Sequence, residues 1–270
     1  MSIITISRGS FSKGKEIAEK VAERLRYKCI SREILLEASE HFNAPEMKLV
    51  RALHDAPSML ERFTHGRERY VAFIEEAILK RFQEDNVVYH GLAGHFFLKG
   101  IGHALKVRII ADLEDRVRLE TEREKISAEQ ARTLLKKDDE ERRRWSLTLY
   151  GVDTADASLY DMVLHVRKIS VSDAVDIICH TVRLPHFQTT PESKQALDNL
   201  ALAAQVRSAV VVGWPDVQVS ADSGNVTVHV EAPLHQESAI CRQIADITLK
   251  IDGVDNVRVH VRPSTFLGAD

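Results

Sequence analysis

A glycine-containing segment near the amino terminus separates a strand pattern from a helix pattern. Residues 2–7 form a short run rich in β-branched side chains, and apolar residues recur at every fourth position of the helical pattern that begins near Gly14. The segment between the two patterns, Gly9-Ser-Phe-Ser-Lys-Gly-Lys15, satisfies the spacing G-x-x-x-x-G-K. A strand, a glycine loop and a helix in this order predict the start of an α/β domain.

This segment has the residues that a phosphate-binding loop requires. Because glycine lacks a Cβ atom, the backbone at Gly9 and Gly14 can wrap closely around phosphate oxygens with its N–H groups pointing inward. Lys15 would contact the β- and γ-phosphates, and the start of the helix would add its positive dipole end. The predicted phosphate contacts are Gly9, Ser10, Phe11, Ser12, Lys13, Gly14, Lys15 and Glu16. The alternative is an ordinary strand-to-helix turn.

Glu16 stands where such a loop usually has Ser or Thr, whose hydroxyl group contacts Mg²⁺. A carboxylate can also bind Mg²⁺, so Glu16 is a candidate metal ligand. A glutamate at a helix start also complements the helix dipole without binding anything. Both interpretations remain open at this point.

Further short apolar runs follow, each separated from the next by a helical pattern. Together with the first run they predict a five-stranded, mostly parallel sheet covered by helices on both faces. The predicted later strands are residues 27–30, 86–89, 105–111 and 161–166. Residues 112–144 are dense in both acidic and basic side chains, which indicates a solvated pair of helices able to move as a lid.

The chain changes character at a proline-containing segment without periodicity. We therefore predict an amino-terminal domain over residues 1–184, a linker over 185–192 and a small α+β domain over 193–263, followed by a tail of residues 264–270. The pattern of the second domain is α-β-β-α-β, with a glycine turn between its first two strands.

The composition excludes several classes of function. A net charge of -3 and a pI near 6.5 give no basic field for nucleic acid. The three cysteines lie far apart without metal or disulfide spacing, and His90, His95 and His103 do not share a helical face, so no metal cluster is predicted. We find no signal peptide and no apolar run of about 18 residues, so we predict a cytoplasmic protein without a membrane span.

Several segments together resemble the cytidylate kinase-like family, a group of P-loop nucleoside monophosphate kinases. They are Ile3-Thr-Ile-Ser-Arg-Gly, Gly14-Lys-Glu-Ile-Ala-Glu-Lys, Ser31-Arg-Glu-Ile-Leu and Tyr150-Gly-Val-Asp, within a resemblance that extends over residues 1–182. The resemblance implies a P-loop kinase-type parallel sheet flanked by helices, ATP and Mg²⁺ as cofactors, and γ-phosphoryl transfer to a nucleoside monophosphate such as CMP or dCMP. One departure is the end of the third strand, where His90-Gly91-Leu92 lacks the arginine of the family's Gly-Arg or Asp-Gly-Arg.

The resemblance also implies roles for basic residues. Lys15, Arg142 and Arg116 are the implied catalytic residues, Arg32 and Arg118 the implied acceptor-binding residues, and Arg143 and Arg144 belong to the lid, about residues 112–150. Arg116 and Arg118 follow the fourth strand, where a parallel sheet places its ligand crevice. Without the family, the arginine triplet is equally a solvated face with ion pairs, and Arg32 a helix-start partner of Glu33.

Residues 193–263 resemble BON domains in their element order and in two short motifs, Asn225-Val-Thr-Val and Asp252-Gly-Val-Asp-Asn-Val-Arg-Val. The resemblance implies a module that binds a small ligand or a protein; a packing appendage or a homodimer contact is the alternative. For the whole chain, the alternatives to a kinase are a non-catalytic nucleotide-binding regulator and a structural scaffold.

Overall fold

A computed structural model of the protein describes residues 1–9, 13–31, 66–91 and 94–263. The chain divides into two compact units. The first holds the described residues up to 31 together with residues 84–193, and the second holds residues 66–83 and 194–263. Within the described ranges, no helix is both long and apolar enough to cross a membrane.

The first unit is built around a five-stranded sheet. Its strands are β1 Ile3–Arg8, β2 Lys28–Ile30, β3 Val87–His90, β4 Ala104–Ile110 and β5 Met162–His165. All neighbouring pairs are parallel and the strand order is β2-β3-β1-β4-β5, so β1 is central. The predicted parallel sheet is therefore confirmed, and each predicted strand lies within a few residues of its observed position.

Helices cover this sheet and form much of the second unit. The described α-helices are α1 Gly14–Leu25, α2 Gly66–Phe82, α3 Leu113–Glu124, α4 Ala128–Tyr150, α5 Val171–Thr181, α6 Pro191–Val210 and α7 Glu237–Thr248. Short 3-10 helices lie at Phe96–Leu98, Ala157–Leu159, Pro185–Phe187 and Leu234–Gln236. The highly charged segment forms the predicted helical pair, α3 and α4.

One face of the sheet is apolar and packs against α1 and α5. The buried side chains of this core include Ile4, Ile6, Leu105, Val107 and Ile109 from the strands, Ile17 and Val21 from α1, and Val175 and Ile178 from α5. Each buried side chain of this size contributes about 1.5–3 kcal/mol. This packing fixes α1 against the sheet and so positions the loop that leads into it.

Helices α4 and α5 begin at capping boxes. The hydroxyl group of Ser127 accepts from the Gln130 amide, and the Gln130 side chain accepts from the Ser127 amide. Ser170 and Asp173 repeat the arrangement at α5. Such reciprocal bonds satisfy backbone donors that have no partner in the first turn of a helix, so both starting points are set by local sequence.

The second unit contains a three-stranded sheet with α2, α6 and α7. Its strands are β6 Gln218–Asp222, β7 Asn225–Ala232 and β8 Asn256–Pro263. Strand β7 pairs antiparallel with β6 and parallel with β8. Residues 191–263 thus follow the predicted order α-β-β-α-β, and the predicted fold class is confirmed.

Helix α2 groups with this second unit, although the sequence analysis placed its residues in the amino-terminal domain. Arg207 Nη1 of α6 lies 2.8 Å from Glu75 Oε2 of α2. Lys194 Nζ of α6 donates to the Gln83 carbonyl oxygen at 2.6 Å. Burial raises the pKa of Glu75 although the nearby Arg207 opposes the shift. These polar contacts fix the two helices side by side.

Candidate functional site

The candidate site lies at the carboxyl end of the central strand. Strand β1 ends at Arg8, and the Gly9 amide donates to the Ile109 carbonyl oxygen of β4 at 3.4 Å. Because all five strands are parallel, the residues that follow β3, β4 and β5 lie at the same edge of the sheet. This is the edge at which open parallel α/β sheets bind ligands.

Helix α1 begins beside this edge, and its first turn has no side-chain cap from Lys13. Lys13 precedes the helix in a left-handed conformation, with φ of 61°. A Cβ atom on Gly14 would lie 2.7 Å from Arg8 Cβ, which is closer than real contacts allow. The backbone therefore requires glycine at position 14. Predicted contacts Ser10, Phe11 and Ser12 lie outside the described residues.

The side chains of Lys15 and Glu16 point along α1 and pair with residues one turn further on. Lys15 Nζ lies 3.6 Å from Glu19 Oε1, and its side chain is 63% exposed. Glu16 Oε1 lies 2.7 Å from Lys20 Nζ. Exposed pairs of this kind contribute little stability, so Lys15 can change rotamer at small cost. The structure thus places Lys15 next to the loop but does not direct its ammonium group into it.

Arg116 lies beside Gly9, the described glycine at which the predicted loop begins. Its Nη1 atom would lie 3.8 Å from a Cβ atom on Gly9, and Asp139 Oδ1 would lie 3.9 Å from the same point. Arg116 Nη2 and Asp139 Oδ2 are 2.7 Å apart. The Arg116 side chain is only 9% exposed, against 39% for Asp139. An ion pair between α3 and α4 therefore lies directly beside Gly9.

The other predicted arginines are more dispersed. Arg118 is exposed and pairs with Asp115 at 3.0 Å. On α4, Arg143 pairs with Asp153 at 2.8 Å and Arg144 with Glu140 at 3.4 Å, whereas Arg142 is half-buried. Arg32 lies outside the described residues. The structure therefore brings Arg116 beside Gly9, while Arg118, Arg143 and Arg144 make surface ion pairs.

The glycine that follows β3 lies against an aromatic ring. A Cβ atom on Gly91 would lie 2.8 Å from the Tyr89 Oη atom, and Gly94 also lies against the Tyr89 ring. A larger side chain at Gly91 would require that ring to move. Glycine at this position is thus explained by packing, whereas Leu92, which stands where the family has arginine, lies outside the described residues.

We tested whether the described residues fit Mg²⁺. Among them, no group of three His, Cys, Asp or Glu side chains could hold a metal ion. Mg²⁺ in phosphoryl-transfer sites is usually bound by one or two carboxylates together with substrate phosphates. Glu16 would fit that limited role only by leaving Lys20, so a nucleotide's own phosphates would supply most of the ligands.

A polar cluster around Tyr160 was not predicted from the sequence. The Tyr160 hydroxyl group accepts from Arg108 Nη1 at 3.1 Å and lies 3.2 Å from Ser7 Oγ and 3.0 Å from the Thr154 carbonyl oxygen. The His95 ring packs 4.9 Å from the Tyr160 ring, between centroids. Burial, with added repulsion from nearby cations, lowers the pKa of His95 to about 3. The available signal was two cations, Lys106 and Arg108, within an otherwise apolar strand pattern.

Comparison with known proteins shows which family this chain belongs to. Residues 3–168 match the model of the Cytidylate kinase-like family. A cytidylate kinase from Methanosarcina acetivorans is 34% identical over 98 residues, which is 36% of this chain and 53% of that protein. A cytidylate kinase from Thermococcus kodakarensis is 29% identical over 92 residues, covering 34% of this chain and 47% of the relative. The chain spans about half the length of the curated relatives it matches.

A solved structure shares the fold over a longer range. The crystal structure of an uncharacterized protein from Eubacterium ventriosum aligns with a TM-score of 0.53 and 20% identity. The alignment covers 68% of this chain and 99% of that protein. At this identity the likeness concerns the fold alone.

Proposed function

Because the chain belongs to the cytidylate kinase-like family, we propose that it transfers the γ-phosphoryl group of ATP to a nucleoside monophosphate. The observation that carries the proposal is the loop between β1 and α1, with the Arg116 guanidinium group beside Gly9. We propose CMP or dCMP as the acceptor, which the cytidylate kinases among the relatives support.

In the proposed reaction, an oxygen of the acceptor's phosphate bonds to the γ-phosphorus of ATP. The bond between that phosphorus and the bridging oxygen of the β-phosphate breaks, which yields ADP and a nucleoside diphosphate. Such transfer needs little covalent chemistry from the protein, so positioning and charge neutralisation are its main tasks. Mg²⁺ would neutralise charge on the transferring phosphates, with Glu16 as the proposed protein ligand.

The protein's own groups divide these tasks. Loop amides and Lys15 hold the phosphates of ATP, for which Lys15 must turn away from Glu19. Arg116 and the lid residue Arg142 stabilise the charge of the transferring group, while the remainder of the lid excludes water. The acceptor's phosphate is assigned to Arg32 and Arg118, as expected from the sequence.

A panel of acceptors tests the proposal. Purified protein with ATP and Mg²⁺ is incubated with CMP, dCMP, UMP, AMP or GMP, and nucleoside diphosphates are separated by chromatography. We expect transfer to CMP or dCMP that is lost in Lys15→Ala and retained in Lys28→Ala. Lys28 is a matched control because it opens β2, at the opposite end of the strands from the loop. Transfer to none of the five acceptors would contradict a kinase.

A non-catalytic nucleotide-binding regulator is the second candidate. It is favoured by the ion pairs that already engage Lys15 and Glu16 on α1, and by the absence of an arginine after Gly91. This candidate predicts saturable ATP binding without product formation on any acceptor. The same panel, combined with a binding measurement, separates the two.

For residues 193–263 we propose a ligand-sensing or interaction module. The α-β-β-α-β order supports the resemblance to BON domains, although the matched family range ends at residue 168. A small ligand, a protein or a second copy of the chain are the proposed partners. The cytoplasmic location predicted from the sequence stays a prediction.

A further inference from the structure

The face of the parallel sheet opposite the apolar core carries polar side chains at its centre. Thr5 of β1 is in register with Lys106 of β4, and Ser7 is in register with Arg108. Residues in register point to the same face, and successive residues alternate between faces. Since Ile4 and Ile6 point into the apolar core, Thr5, Ser7, Lys106 and Arg108 occupy the other face.

Three polar groups in this region lack a partner within the described part of the chain. Thr5 Oγ1 is buried with its side chain 1% exposed, and His95 Nε2 is buried with the residue 5% exposed; neither has a hydrogen-bond partner there. The ammonium group of Lys106, which is half-buried, makes no hydrogen bond or ion pair there either. Burying polar groups without partners is costly, so native structures rarely place several together without a ligand or solvent to satisfy them.

Among the described residues no carboxylate forms an ion pair with the Lys106 ammonium or Arg108 guanidinium group, although Asp161 and Asp153 interact with them at longer range. Asp161 is close to Lys106, but its Oδ2 atom accepts from the Lys106 backbone amide at 2.8 Å. Arg108 donates to the neutral Tyr160 hydroxyl group at 3.1 Å. Burial lowers the pKa of Lys106 even though Asp161 opposes the shift. The chain therefore retains a partly desolvated cation here at a cost in stability.

The donors in this region match an oxyanion. Lys106 offers three N–H donors, Arg108 a fork of donors and Thr5 a hydroxyl group, while neutral His95 offers one ring N–H. Charge-assisted hydrogen bonds from such groups are strongest to oxygens that carry negative charge. A phosphate group, with several charged oxygens, can satisfy more of these donors than a carboxylate.

We propose that Thr5, His95, Lys106 and Arg108 form a binding site for a phosphate group, separate from the loop between β1 and α1. Two sources share this chemistry: the monophosphate of the acceptor, in which case this site holds it instead of Arg32 and Arg118, and free phosphate bound independently of the reaction. The first source rests on the proposed function, whereas the second does not. Sequence analysis assigned none of these residues to phosphate.

Calorimetric titration of inorganic phosphate into the full chain tests the site. The titration uses Lys15→Ala protein as the background, so that the loop contributes less to the signal. Adding Lys106→Met should weaken phosphate binding by about 10- to 100-fold, the effect of removing one charge-assisted hydrogen bond. Adding Lys250→Met instead should change nothing, because Lys250 is exposed in the second unit.

Thermal unfolding supplies a second readout. If Lys106 only stabilised the fold, replacing it would lower the melting temperature. Because Lys106→Met removes a half-buried ammonium group without a partner, its melting temperature should equal or exceed that of the unsubstituted protein. Lys106→Arg keeps the charge and should restore phosphate binding. If Lys106→Met does not fold, Lys106→Gln takes its place in the titration. The proposal fails if Lys106→Gln also does not fold, or if it folds and binds phosphate as tightly as before.

Competition distinguishes the two sources. If the acceptor's phosphate occupies the site, CMP displaces inorganic phosphate and cytidine does not; if neither displaces it, the site binds phosphate independently. Equal phosphate affinity in the Lys106→Met and Lys250→Met proteins would overturn the proposal. So would the absence of saturable phosphate binding in the Lys15→Ala background.

Discussion

Replacing Asp139 with asparagine should tighten ATP binding while lowering stability. Asp139 pairs with Arg116 at 2.7 Å, and both groups lie about 4 Å from the position of a Cβ atom on Gly9. A phosphate bound at Gly9 would therefore gain from Arg116 and be repelled by Asp139. Asparagine keeps the shape and an acceptor oxygen but removes the negative charge.

The size of the effect follows from distance and exposure. Two unit charges about 5 Å apart at an effective dielectric constant of about 20 repel each other by about 3 kcal/mol. Because the Asp139 side chain is 39% exposed, solvent and salt screen this repulsion. We therefore expect a gain of about 1–2 kcal/mol, or about 5- to 30-fold in ATP affinity. The loss of charge beside the nearly buried Arg116 should lower the free energy of unfolding by about 1–3 kcal/mol.

Calorimetric titration of ATP, with urea unfolding in parallel, measures both effects. Glu140→Gln is the matched control, because it removes the same charge one residue away on α4, where Glu140 pairs with Arg144 at the surface. The gain should also shrink as salt concentration rises. If Asp139→Asn and Glu140→Gln change ATP affinity equally, or if Asp139→Asn weakens it, the reasoning about Asp139 is refuted.

Three further outcomes are expected from single contacts. Gly14→Ala should lower the melting temperature and weaken ATP binding because its Cβ atom meets Arg8, whereas Gly102→Ala, with open space around it, should leave both unchanged. Tyr160→Phe should lower the free energy of unfolding, measured in urea, by about 1–3 kcal/mol, since three polar groups lose a hydroxyl partner. The unfolded chain binds a proton at His95 near pH 6.5 and the folded chain only near pH 3, so stability should fall as pH drops through that window. His95→Asn should reduce the slope of the free energy of unfolding against pH by up to about 1.4 kcal/mol per pH unit. Urea unfolding from pH 7 to 4 measures this slope. An unchanged slope would contradict the burial of a neutral His95.

Local patterns predicted the fold because its determinants are local. The β-branched run before Gly9 and the helical spacing after Gly14 lie within about two dozen residues of each other. Capping residues such as Ser127 also act on their own helix, so the charged segment could be interpreted as a helical pair before any contact was known.

Contacts between distant segments were not predictable in the same way. Tyr160 meets Ser7 across 153 positions, and Arg207 meets Glu75 across 132, so no window of sequence contains either pair. The grouping of α2 with α6 and the polar cluster around Tyr160 both depend on such pairs. Tyrosine and arginine patterns alone do not reveal which partner each residue takes.

The direction of the Lys15 side chain was unpredictable for a different reason. Its ammonium group can pair with Glu19 on the same helix or with an anion at the loop, and the motif is identical in both cases. An exposed ion pair contributes too little for the sequence to decide between the two. The motif thus identified the residue and its place but not its partner.

ATP binding by the unsubstituted protein and by Lys15→Ala tests the central claim most directly, since every functional role depends on a loop that holds a triphosphate. Calorimetric titration should show saturable binding that weakens by about 10- to 100-fold in Lys15→Ala and is unchanged in Lys28→Ala. Equal ATP affinity in all three proteins would contradict the account.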